Sequence, residues 1–306
     1  MSGTVISFIN MKGGVGKTSL AINVSKTLAD RGKRVLILDM DPQFNATQSL
    51  LLYKTRYYKI FSDLNQDTQN QDTQNQEILF KEEIKSTEIY NELSYKNKTI
   101  LQLFSNTNLL ESAKELETEI STNLYLVPGD LNLAKEISGD TSNKCEIIYN
   151  YFEEQNILEK YDYVIIDCPP TWSILTHASL YVSDYYIIPS KVDLYSSVGI
   201  KILEELIDDK IYRSTSYKNT RKVKNLDVLK RMGIIFTLVY GLKSEKTNME
   251  RLKKEFKEIE FFETVLPYIP SVPTRFIIFD EVKNDSRYTL LINSINKITE
   301  EIINKK

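Results

Sequence analysis

The sequence predicts an α/β fold, a single doubly wound, mostly parallel sheet flanked by helices, on three observations. A short apolar run, Val5–Asn10 (VISFIN), leads through a glycine-rich loop into a helical pattern and then a second apolar run, Arg34–Asp39 (RVLILD). Further apolar runs of β-formers follow at Asn123–Val127, Tyr163–Cys168, Tyr185–Pro189, Gly233–Val239 and Phe262–Leu266. Helical spacings lie between several of them. A strand–loop–helix–strand unit of this length implies a parallel sheet with a right-handed crossover, and 306 residues with 42% hydrophobic content can bury a substantial core.

Each element has its own signal. Ser19–Asp30 carries apolar residues at Leu20, Ile22, Val24, Leu28 and Ala29, a helical spacing that Gly32 would end. Residues 53–97 break the alternation and read as an insertion on the surface of one domain spanning residues 1–306. Its centre, Asn65–Gln76 (NQDTQNQDTQNQ), gives a five-residue unit twice and begins it again. That stretch has no apolar anchors to offset the entropy of ordering, so its centre is expected to be mobile. It reads as a tolerated expansion more than as a partner-docking arm. Helical patterns return around Ser197–Ile207 and Asn248–Ile259. In Leu291–Ile302 a stripe of Leu291, Ile295, Ile298 and Ile302 lacks the basic face and aromatic anchors of a membrane-surface helix. It should pack on its own domain.

Composition excludes several classes. No apolar run approaches the roughly 18–20 residues that span a bilayer. The N-terminus enters a strand without a basic leader, and Cys145 and Cys168 form no metal-ligand spacing, so a reducing cytosol is expected. A net charge of −3 argues against a constitutive, highly basic nucleic-acid binder but leaves room for a local basic patch.

The chemistry concentrates in three motifs. INMKGGVGKTSL (Ile9–Leu20) nearly matches G-x-x-x-x-G-K-[ST], with Met11 where the first glycine belongs and an additional lysine, Lys12, beside it. Between a strand and a helix N-terminus such a loop turns backbone N–H groups toward phosphate oxygens. The expected nucleotide-binding residues of the loop are Gly13, Gly14, Val15, Gly16, Lys17, Thr18 and Ser19. Lys17 would reach the β- and γ-phosphates and the Thr18 hydroxyl would ligate Mg²⁺. The second strand ends in Asp39-Met40-Asp41-Pro42-Gln43, two carboxylates at the same sheet edge. A further apolar strand ends in Asp167, the arrangement that holds Mg²⁺ directly or through water.

With these motifs in view, KGGVGKT, DMDPQFNAT (Asp39–Thr47) and YDYVIIDCPP (Tyr161–Pro170) resemble the deviant Walker A P-loop ATPases of the ParA/MinD superfamily, and most closely its ParA-type partition ATPases. NLYLVPGDLNLA (Asn123–Ala134) and IIPSKVDLYSSVGI (Ile187–Ile200) add to the ParA likeness, which covers about residues 4–52 and 121–300. The resemblance implies an ATP-sandwich homodimer in which Lys12 reaches the partner subunit's phosphates. Two facing nucleotides bring together negative charges whose repulsion could reach several kcal/mol in a partly dry site. It further implies that Asp41 positions the attacking water, that Asp39 supports it near the Mg²⁺, and that Asp167 is the Walker B aspartate. Lys12, Lys17 and Asp41 are thus the expected catalytic residues, and Thr18, Asp39 and Asp167 the metal site. The segment after Pro170 matches a γ-phosphate switch. Cys168 and the sole histidine, His177, read as packing or surface residues.

The resemblance also implies nonspecific DNA binding by the ATP-bound dimer and release when a ParB-like centromere-binding partner stimulates hydrolysis. With the loop about ten residues from Met1, an operator-binding helix-turn-helix is not expected. Ile211–Arg231 holds seven Lys or Arg against the single acid Asp227. It suits either a DNA surface, through Arg221, Lys222 and Lys224, or a solvated charged loop. Arg275 lies near where the family places another DNA-contacting arginine. The protein should be cytoplasmic, and nucleoid-associated when ATP-bound. Rival readings are a MinD-like membrane-associated ATPase and a ParA-like positioner of protein cargo. An iron–sulfur carrier is disfavoured for want of paired cysteines.

Overall fold

The computed structural model describes residues 3–62, 73–105, 115–137, 144–193, 195–270 and 278–306. The strands among them are β1 Thr4–Phe8, β2 Val35–Asp39, β3 Thr118–Ser121, β4 Leu124–Val127, β5 Tyr163–Asp167, β6 Tyr185–Lys191, β7 Lys230–Val239 and β8 Leu266–Pro267. They form one eight-stranded sheet in the order β3-β4-β2-β5-β1-β6-β7-β8. Every pairing is parallel except β3 with β4. The longer helices are α1 Lys17–Asp30, α2 Asn45–Ser62, α3 Thr73–Tyr95, α4 Ile147–Glu154, α5 Ile174–Val182, α6 Ser196–Ile207, α7 Thr215–Val223, α8 Lys243–Glu255 and α9 Thr289–Lys305.

Strand alternation divides the core. Val5, Leu36, Leu38, Val164, Ile166 and Ile188 face one side, where α4, α5 and α6 supply Ile148, Leu175 and Leu203. Ile6, Phe8, Ile37, Ile165 and Ile187 face the other, against Leu20 and Val24 of α1 and the α9 stripe. Both faces are covered, which is why these strands read as unbroken apolar runs. Leu291, Ile295, Ile298 and Ile302 are all buried, each contributing about 1.5–3 kcal/mol. The C-terminal helix packs on its own domain as expected, and no described helix is long and apolar enough to cross a membrane.

Three sequence expectations shift. The strand expected at Phe262–Leu266 is confined to Leu266–Pro267, with a single bridge from Ile234 to Phe261 upstream. Residues 118–121 form an edge strand that the sequence did not announce, because a four-residue TEIS segment buries only Ile120 and Ser121. The helix expected at Asn248–Ile259 runs instead over Lys243–Glu255.

The segment expected to be an insertion packs on the rest of the fold. α3 packs along α2, and Ile89, Tyr90 and Leu93 lie against the core. Arg56 bonds Glu82 and Glu281, both at 2.9 Å, joining the insertion to the C-terminal part of the chain. The repeat's first eight residues lie outside the described residues, and its last four open α3.

Candidate nucleotide site

The glycine-rich loop hangs between the C-terminal ends of β1 and β6. The Asn10 side chain donates to the Pro189 carbonyl at 2.7 Å and accepts the Lys12 N–H at 2.9 Å, fixing where the loop leaves the strand. Gly14 (φ 65°) and Gly16 (φ 81°) take the left-handed conformation that lets successive N–H groups curl around an anion. From behind, the Thr237 hydroxyl donates to the Val15 carbonyl at 2.7 Å, so β7 braces the loop. Gly13 and Gly14 face solvent.

The two lysines occupy different environments. Lys17, the first residue of α1, is 6% exposed and makes one long bond, 3.4 Å, to the Lys12 carbonyl. Burial lowers its pKa, opposed by the charges of Asp167 and Asp41. A buried ammonium this poorly partnered is suited to receive an anion. Lys12 lies at the rim, its side chain 37% exposed, ion-paired with Asp193. Asp193 also accepts the Ser196 hydroxyl at 2.9 Å and the Tyr195 N–H at 3.0 Å, at the start of α6.

The carboxylates converge where β2 and β5 end side by side, with Asp39 paired to Asp167 in register. Asp167 is fully buried, and among the described residues neither of its oxygens has a hydrogen-bond partner of good geometry, the nearby Thr18 hydroxyl included. Burial and then the neighbouring Asp39 push its pKa well above the usual carboxylate range, partly offset by the Thr18 hydroxyl and Lys17. An orphaned buried carboxylate beside a hydroxyl fits a divalent cation of the Mg²⁺ type, which keeps most of its waters and asks few protein ligands. Asp39 is more heavily engaged. Its Oδ2 accepts the Thr47 N–H at 2.8 Å and the Thr47 hydroxyl at 2.7 Å, and its Oδ1 accepts the Asp41 N–H at 3.3 Å. Burial pushes it up to about 7. Asp39 therefore suits a role beside the cation better than one as its main ligand. Asp41 accepts the Gln43 N–H at 3.0 Å and is raised by burial, with that bond and Lys17 opposing.

Several contributors lie inside the stretches quoted for the resemblance or the loop but were given no role from the sequence. Thr47 Oγ1, besides binding Asp39, accepts the Gly129 N–H at 2.7 Å. A Cβ on Gly129 would stand 2.8 Å from the Phe44 Cβ and 3.0 Å from the Asp39 Cγ, so this approach requires glycine. Asn10, Thr237 and Asp193 complete the frame.

The expected DNA residues do not form one surface. Arg221 is 3% exposed, donates to the Ser183 carbonyl at 2.8 Å and lies 3.7 Å from Asp184, so it is a structural residue and is corrected from a DNA contact. It shares the inner face of α7 with Tyr217, one turn earlier. Lys222 and Lys224 are exposed, Lys224 within 3.4 Å of Glu153. Arg275 lies outside the described residues. Cys168 is buried in the core, its thiol pushed up to about 12 by burial, and His177 packs beside Trp172 and Tyr181. Both match their reading as packing residues.

Comparison with known proteins bears on the family and the fold. An AAA domain family model matches residues 3–222. An uncharacterised protein of Methanocaldococcus jannaschii is 30% identical over 260 residues, 83% of this chain and 81% of that protein. The sporulation initiation inhibitor protein Soj of Bacillus subtilis is 27% identical over 270 residues, 87% of this chain and 84% of Soj. Among solved structures, a Borrelia burgdorferi protein described as a plasmid partition protein, bound to AMPPNP, superposes with a TM-score of 0.66 over all of both chains at 20% identity.

Proposed function

The chain belongs to the ParA/MinD superfamily of P-loop ATPases, and from that premise we propose that it is an ATP-dependent DNA-segregation ATPase hydrolysing ATP to ADP and phosphate. The observation that carries the reading is the division of labour between the two lysines, one buried beneath the loop and one at its rim.

The loop N–H groups between Gly13 and Ser19 cradle the phosphates, and Lys17 exchanges its weak bond to the Lys12 carbonyl for phosphate oxygens. Thr18 and Asp167 would hold Mg²⁺, with Asp39 beside it, and the ion would supply charge neutralisation during phosphoryl transfer. Asp41 Oδ1 is fixed by the Gln43 N–H, which leaves Oδ2 to orient the attacking water. Lys12 leaves Asp193 for the phosphates of the partner subunit in the ATP-bound homodimer. That dimer binds nonspecific DNA through exposed lysines such as Lys222 and Lys224, and a ParB-like protein releases it by stimulating hydrolysis. The α9 stripe is buried in the core, which supports a DNA reading over a membrane-surface one.

The test separates the lysines. Lys17→Ala should abolish nucleotide binding in a titration. Lys12→Ala should retain much of it while losing dimerisation on ATP or hydrolysis. Equal loss of nucleotide affinity in both variants would refute the cross-subunit role.

A further inference from the structure

Asp41 begins a turn that the nucleotide motifs alone do not secure. The Phe44 N–H donates to the Asp41 carbonyl at 2.8 Å, and the Gln43 N–H donates to Asp41 Oδ1 at 3.0 Å. The carboxylate is therefore aimed by a turn whose last residue is Phe44. Phe44 has φ 43°, in the left-handed region that a bulky side chain avoids. Such a conformation persists only when its surroundings over-determine it.

Two neighbours do so. Gly129 lies against the Phe44 Cβ, and the Tyr90 ring stacks on the Phe44 ring at 4.8 Å with an interplanar angle of 19°. Tyr90 belongs to α3, within the segment that interrupts the nucleotide-binding pattern. Ile89 and Leu93 on either side pack into the core and hold the helix in place.

We propose that Tyr90 is a positioning residue for ATP hydrolysis: through Phe44 it holds the turn that aims Asp41, and it thereby couples helix α3 to turnover. This rests on the reading of Asp41 as the residue that orients the attacking water. A partner or a sequence change that displaces α3 would then act on kcat without touching the phosphate loop.

The test compares full-length Tyr90→Leu, Tyr90→Phe, Leu93→Ala and Asp41→Ala in steady-state ATPase assays, with affinity for a fluorescent ATP analogue and Tm measured in parallel. Displacing a catalytic group by about 1 Å can cost on the order of 100-fold. Tyr90→Leu, which keeps apolar bulk but not the flat ring, should lower kcat about tenfold or more while nucleotide affinity stays within about twofold. Tyr90→Phe keeps the stack and should stay within about twofold of the parent kcat. Leu93→Ala removes core packing from the same helix without touching the stack, and should lower Tm with a smaller loss of kcat than Tyr90→Leu. In a Phe44→Gly background, where glycine takes the positive φ unaided, Tyr90→Leu should have little further effect. An unchanged kcat in Tyr90→Leu, an equal loss in Leu93→Ala, or full additivity with Phe44→Gly would each overturn the proposal. If Asp41→Ala hydrolyses ATP at the parent rate, the reading of Asp41 fails instead. If Asp41→Ala is dead while Tyr90→Leu is normal, only the role of Tyr90 fails.

Discussion

Replacing Thr47 with valine exchanges one hydroxyl for a methyl of nearly equal volume, in a side chain with no solvent exposure. Two bonds vanish: the 2.7 Å donation to Asp39 Oδ2 and the 2.7 Å acceptance from the Gly129 N–H. A hydrogen bond to a charged group contributes about 1.5–3 kcal/mol, and a buried donor left without its acceptor costs about 1–3 kcal/mol. The sum, about 2.5–6 kcal/mol, is a large part of a typical net stability of roughly 5–15 kcal/mol. Thr47→Ser keeps the hydroxyl and loses one methyl, worth about 1 kcal/mol. Urea unfolding of the nucleotide-free protein near pH 8, where Asp39 is ionised, measures the difference. The gap should narrow near pH 5, where a protonated Asp39 needs the donor less. A valine variant no less stable than the serine one at pH 8 would refute the claim that the Thr47 hydroxyl ties Asp39 to Gly129.

Burial raises the Asp39 pKa from 3.8 to about 7 and shifts Asp167 in the same direction, so the native state binds protons that the unfolded state has released. The contribution of Asp39 to stability is complete below its unfolded pKa and is lost as pH rises toward 7, and that of Asp167 has the same sign. Melts in EDTA should therefore show stability falling over that window, by at most roughly 4 kcal/mol from Asp39. Asp39→Asn should flatten the fall, and a slope of opposite sign would contradict the buried-carboxylate account. Arg221→Ala should destabilise the fold by about 3–5 kcal/mol by removing a buried partner, yet leave the salt dependence of DNA binding unchanged. Neutralising Lys222 and Lys224 together should flatten that dependence by up to about twice 0.9, measured by titration at several salt concentrations. An unaltered slope would return α7 to a solvated charged face.

What the sequence disclosed depends on how local each constraint is. Buried parallel strands announce themselves because neither face tolerates polar residues, and the phosphate loop does so because its N–H groups must lie within a few residues of one another. Asn10, Asp193 and Gly129 act on partners brought close only by folding: Asn10 on Pro189, Asp193 on Lys12, Gly129 on Thr47. No periodicity marks such positions. Arg221 shows the opposite failure. Its basic neighbours suggested a surface, but its spacing of four from Tyr217 places it on the buried face of α7. The same spacing, weighed before the charge count, would have separated Arg221 from Lys222.

Met11, the apparent defect in the loop, follows from the same geometry. The positive φ angles of the loop fall at Gly14 and Gly16, and Met11 does not take one, so a glycine there would bring freedom the backbone does not use. The Met11 side chain instead packs against the core beneath the sheet edge, while Lys12, held through its N–H by Asn10, stays at the rim. A methionine anchor followed by an exposed lysine gives the loop a fixed base and a movable charge. Both members of the Lys12–Asp193 pair are 37% exposed, and pairs of that kind contribute about 0–1 kcal/mol. On the proposed reading, Asp193 parks Lys12 without locking it, and a triphosphate, carrying several charges to the carboxylate's one, would draw it away.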